Sequence, residues 1–78
     1  MKQVEVICLF NEEGKIRPLK IRLQAEDETI VIPIKRLAFE DKNMKLGFNR
    51  YRVEFLYRNR LTQKDLIYNL IDCKWYLK

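Results

Sequence analysis

The sequence predicts a small, mainly antiparallel β-barrel or strongly curved sheet of five or six strands, SH3- or OB-like in size. Three observations predict it. Apolar residues recur at every second position in several separate stretches. The breaks between those stretches carry Gly14, Gly47 and an acidic run, which suit chain reversals. The 78 residues, numbered 1–78, fit one β domain with no second lobe to close over a substrate. The runner-up is an α+β domain with one helix over residues 63–72.

Residues 3–10, QVEVICLF, place Val4, Val6, Cys8 and Phe10 on one face and Gln3, Glu5, Ile7 and Leu9 on the other. That is the period of a strand. Ile7 and Leu9 make the far end apolar on both faces, so another element is expected to cover it. NEEGK follows, and Gly14 can take the positive φ of a short hairpin loop.

In the second strand, IRPLKIRLQ, Leu19, Ile21 and Leu23 are expected inward, and Lys20 and Arg22 outward. Pro18 lacks a backbone N–H, so the strand there is at an edge or locally irregular. AEDET reverses the chain. IVIPIK then aligns Ile30, Ile32 and Ile34, with Pro33 on the opposite face. Bringing Leu37 and Phe39 to the same core requires one slip of parity near Lys35 and Arg36, which predicts a β-bulge.

Residues 40–49 are polar and broken by Gly47, which predicts a loop with room for one helical turn and Phe48 open to solvent. NRYRVEFLYRNR is the fourth strand. Its row Tyr51, Val53, Phe55 and Tyr57 is expected inward, because turning it to water would leave a small protein short of apolar burial.

Residues 62–72 admit two readings. Thr62 with Asp65 resembles a capping box, Leu61 with Leu66 a hydrophobic staple, and Leu66, Ile67, Leu70 and Ile71 recur at helical spacing. A strand would turn Leu66, Tyr68 and Leu70 inward and return into a last strand, CKWYLK, closing against the first. Trp75 is expected in the core with Cys73 and Leu77 on its face, leaving Tyr76 outward.

The segments EVICLFNEEGKIRPLKIRL, KLG ahead of RYRV, and YNLIDCKWYL resemble a group of short all-β bacterial proteins, mainly from Gram-positive species, with no known function. The likeness covers nearly the whole chain, and its motifs are structural. It implies a fold, with a strand before the terminal tryptophan, and no activity.

Composition excludes several chemistries. With no histidine and no serine, neither a Ser-His-Asp nor a Cys-His nucleophilic site can be assembled. Two cysteines, Cys8 and Cys73, cannot supply a four-ligand zinc site, and a closed barrel would bring them side by side as packing residues rather than a redox pair. The two glycines are solitary, so no phosphate cradle is indicated. The acidic runs read as solvated turns. No enzymatic activity, cofactor or metal is therefore expected. The low cysteine content and the short apolar run near Met1 suit a cytoplasmic protein without a membrane span.

The formal charge is +5. Lys45, Arg50, Arg52, Arg58 and Arg60, against Glu54 alone, concentrate it in the fourth strand and its flanks. With Tyr51, Val53 and Phe55 inward, Arg50, Arg52 and Arg58 would line one outer face at a spacing of about 6–7 Å, near a single-stranded phosphate repeat. Lys20 and Arg22 form a second outward pair, and Tyr76 offers a ring for base stacking. Lys20, Arg22, Arg50, Arg52, Arg58, Arg60 and Tyr76 are the candidate nucleic-acid-binding residues of a small, basic, non-catalytic module. An acidic protein is the other partner that the charge suits. A structural or protein-interaction module, using a strand edge near Pro18 or Pro33, is the alternative function.

Overall fold

The alternating stretches form strands, and every turn joins neighbours. The computed structural model describes residues 1–43 and 45–78, with β1 at Lys2–Phe10, β2 at Ile16–Ala25, β3 at Glu28–Asn43, β4 at Phe48–Tyr57, β5 at Arg60–Asn69 and β6 at Lys74–Leu77. All six pair antiparallel in sequence order, and β6 returns to β1 to close a barrel. Val4, Ile21, Ile32, Tyr51, Val53, Phe55, Leu66 and Trp75 fill it. The Trp75 ring lies 5.6 Å from that of Tyr51 and 4.9 Å from that of Tyr68, centre to centre. The inward row of β4 is thus the middle of the core, as its alternation predicts.

The first hairpin is held by Asn11, whose Oδ1 accepts from the backbone N–H groups of Glu13 and Lys15, while Gly14 sits at φ +79°. The β4–β5 hairpin turns on Arg58 and Asn59, with φ of +51° and +62°. Two consecutive positive φ values match the right-handed twist of the flanking strands.

Three residues are extra to the ladders. In β2, Ile7 pairs with Lys20 and Cys8 with Pro18, leaving Leu19 unpaired in the register. This corrects the expected pattern: Pro18, with no N–H to give, takes the buried position, and Leu19 is 38% exposed. In β3, Lys35 is skipped between Ile34↔Phe55 and Arg36↔Glu54, which is the slip that Leu37 requires. Ala38 is skipped as well, between Leu37↔Val53 and Phe39↔Arg52. The second slip turns Phe39 outward, 46% exposed, where an inward ring was expected.

Two further expectations are corrected. Residues 40–43 continue β3 and Phe48 opens β4 half-buried, so the supposed loop is a hairpin end; of that span, Met44 lies outside the described residues. Cys73 is not on the last strand but in the turn before it, exposed, at φ +58°. The segment with helix signals is β5, paired along its whole length with β4. Tertiary pairing overrides the local spacing, because only a strand can bury Leu66 between Tyr51 and Leu77. Leu70, expected inward, lies past the end of β5 and is exposed.

The ladders are partial at both ends of the barrel. At the end of the β2–β3 and β4–β5 turns, residues 28–33 of β3 have no pairs with β4 and residues 60–65 of β5 none with β6, among the described residues. The other end is parted too. The β2–β3 ladder runs from Ala25↔Glu28 to Lys20↔Pro33 and stops, and the β1–β6 ladder covers only Lys2, Gln3 and Val4. Beyond those points β1 has β2 as its sole ladder partner, and β3 has β4, among the described residues.

Candidate nucleic-acid interface

The seven candidate residues do not form one surface. Arg50 and Arg52 lie on the outer face of β4, but the register sets acids beside them. Arg52 Nε donates to Asp65 Oδ1 at 2.9 Å from β5, and Arg50 Nη2 lies 4.0 Å from Asp41 Oδ2 on β3. Both guanidinium groups also lean on the outward Phe39 ring, at 5.7 Å for Arg50 and 5.9 Å for Arg52. One row along, Arg36 donates to Glu54 at 2.8 Å. The concentration of positive charge along β4 is therefore neutralised by side chains from its neighbours, which a count along the chain cannot register.

Arg22 is likewise engaged, at 2.9 Å from Glu5. Tyr76 donates to Asp72 Oδ2 at 2.9 Å; this bond, ahead of burial, raises its phenol above the usual range. The Arg52 bond holds Asp65 below the ordinary carboxylate range against the opposing effect of burial, and Arg36 does the same for Glu54.

Arg58 and Arg60 go elsewhere. Arg58 is in the turn rather than on the strand face, its guanidinium 5.2 Å from the Tyr57 ring centre. Arg60 stands opposite Tyr57, on the inward parity of β5. Both lie at the end of the barrel that carries the β2–β3 and β4–β5 turns, where Lys2 and Lys64, but neither arginine, line a cavity. Lys20 is outward beside Pro33. Among the described residues, Lys2, Lys20, Lys64, Arg58 and Arg60 take part in no salt bridge. Lys2 and Lys64 were missed because Lys2 precedes the predicted first strand and Lys64 falls in the segment that admits both helix and strand; the strand pairing puts both at the same mouth.

The cysteines are both free. Cys8 is inward and half-buried, and burial pushes its thiol up. The Tyr68 phenol is raised by its hydrogen bond with Cys73, with burial adding to the shift. A raised thiol pKa leaves Cys8 a poor nucleophile at neutral pH.

The strand edge was expected near Pro18 or Pro33, which pair with Cys8 and Lys20; β1 beyond Val4 also lacks a partner on one side. Ile7, Leu9 and Phe10 are 56%, 53% and 60% exposed, with no strand beside them on the β6 side. Among the described residues, no strand pairs with β1 on that side to cover Ile7 and Leu9. No helix among the described residues is long and apolar enough to cross a membrane.

No family model, curated protein or solved structure matches this chain.

Proposed function

We propose that this chain is a non-catalytic, cytoplasmic interaction module that accepts an extended apolar segment of another protein as an added strand on the free edge of β1. One observation carries the reading: Val6, Ile7, Cys8, Leu9 and Phe10 form an uncharged run whose far side has no ladder partner. Such an edge is a template for strand addition, and left bare it invites aggregation.

Another free edge supplies the contrast. Along β3 the unpaired side carries Lys35, Arg36, Glu40, Asp41 and Lys42 and is kinked by two bulges. Charge and bulges are the usual protection of an exposed edge; residues 6–10 of β1 carry no charge, and the bulge beside them has its extra residue in β2. The resemblance to the short Gram-positive group bears on the fold alone.

Without a partner protein, the segment available to pair with β1 is β1 of a second copy. Sedimentation velocity is expected to show concentration-dependent association that Ile7→Lys or Leu9→Lys abolishes. Slow hydrogen exchange at every amide from Glu5 to Phe10 in a strictly monomeric chain would show the edge already satisfied and end this reading.

Single-stranded nucleic acid is the second reading, supported by the unpaired Lys20, Arg58 and Arg60. It requires affinity that falls steeply with salt. For Arg50 and Arg52 to join in, they would first have to leave Asp41 and Asp65.

A further inference from the structure

We propose that the end of the barrel carrying the β2–β3 and β4–β5 turns is a binding site for a small anion with an apolar body, a medium-chain carboxylate being the type. The mouth between the β2–β3 turn, the β4–β5 turn and the start of β1 holds a cavity of about 210 Å³. Leu23, Phe55, Tyr57 and Leu77 form its apolar wall, and Lys2 and Lys64 stand in its lining. Ligand sites for drug-sized molecules run from roughly 300 to 1,000 Å³, so the occupant is smaller than those.

Charge selects its sign. On the outer surface Arg22, Arg36, Arg50 and Arg52 have carboxylate partners, while Lys20 has none among the described residues. At the mouth Lys2, Lys64, Arg58 and Arg60 take part in no salt bridge among the described residues. Lys2 is steadied instead by the carbonyl oxygen of Gln24, 2.8 Å from its Nζ, and Arg58 by the Tyr57 ring. Two cations are thus held in place without being neutralised. Like charges gathered at a cleft with low-dielectric walls focus their field into it, which raises the local concentration of anions.

The opposite rim orients the ligand. Glu26, Asp27 and Glu28 occupy the β2–β3 turn at the same end. They repel a negative head group and drive it towards the β4–β5 side, where Arg58, Arg60 and Lys64 lie, while the chain settles against Leu23 and Phe55. This site is independent of the β1 edge, which belongs to the other half of the barrel.

The test is a titration of methyl-labelled protein with sodium octanoate, with octanol as the neutral probe. Saturable shifts of the Leu23, Ile32 and Leu77 methyls are expected, with octanol binding at least tenfold more weakly. Lys64→Glu combined with Arg60→Glu is expected to weaken octanoate at least tenfold, and Lys20→Glu on the outer face to leave it unchanged. Should the double reversal fail to fold, Lys64→Gln, which removes one charge from an exposed side chain, is expected to weaken it about threefold. Equal binding of octanol and octanoate, or shifts at Ile7 and Leu9 instead, would overturn the proposal. So would an oligothymidylate that moves the same methyls at lower concentration, and that result would assign the mouth to nucleic acid.

Discussion

Arg52 and Asp65 stand directly opposite each other on β4 and β5 and meet in a two-point ion pair, Nε to Oδ1 at 2.9 Å and Nη2 to Oδ2 at 3.4 Å. The pair sits in a row of such contacts, with Arg36–Glu54 beside it. Cross-strand pairs of opposite charge fix the register of the face they cover.

Acid should therefore loosen the fold. Asp65 and Glu54 have folded-state pKa values held below those of the unfolded chain, which lie near about 3.9 and 4.3. Their contribution is present above that range and lost as pH falls through the folded values, below about pH 4. Urea midpoints are expected to hold steady from pH 7 to 5 and then drop. In Asp65→Asn the drop should be shallower, and an unchanged profile would remove this pair from the account.

Inside the barrel, Asn49 is buried and donates from Nδ2 to the Tyr51 hydroxyl at 3.3 Å. Tyr51→Phe leaves that amide short of an acceptor and should cost about 1–2 kcal/mol. Tyr51→Ala, which opens a cavity against Trp75, should cost about 3–5 kcal/mol. Equilibrium denaturation separates the two; similar losses would mean that the ring contributes little beyond its hydroxyl.

The β4–β5 turn is open to improvement. Positive φ at both central residues is best met by Asn-Gly, whereas Arg58 and Asn59 occupy it here. The double substitution Arg58→Asn and Asn59→Gly is expected to raise stability by about 0.5–1 kcal/mol in a thermal melt.

Gly47 lies at φ +76°, and a Cβ there would come within 3.3 Å of the Ile71 side-chain tip. Ile71 is exposed and can swing aside, so Gly47→Ala should cost little more than the backbone penalty of about 1–2 kcal/mol. Gly14→Ala, with open space around it at φ +79°, should cost about the same. A much larger loss at Gly47 would show that Ile71 is packed in solution.

The barrel was legible in the sequence because period-two alternation survives wherever one face of a strand is buried. Tyr51, Val53 and Phe55 announce themselves this way, and the Lys35 slip follows from the parity of Leu37. The Ala38 slip does not follow, since Phe39 reads as core and only the structure shows its ring lying beneath two guanidinium groups. Leu19 was misplaced for a related reason, because Pro18 signals an irregularity without saying which neighbour is expelled. The helix signals of β5 were side chains with other tasks: Thr62 donates to the Arg60 carbonyl, and Asp65 receives Arg52. The candidate site was least legible. Its charge was counted along one strand, whereas compensation comes across strands.

Trp75, the sole tryptophan, is lodged where β6 meets β1 through only three residue pairs, against ten between β4 and β5. The shortest ladder holds the ring shut, so thermal opening should begin at that seam. Water reaching the indole would shift its emission to the red before the rest of the sheet parts. The chain thus contains its own optical gauge of closure, readable without any added label.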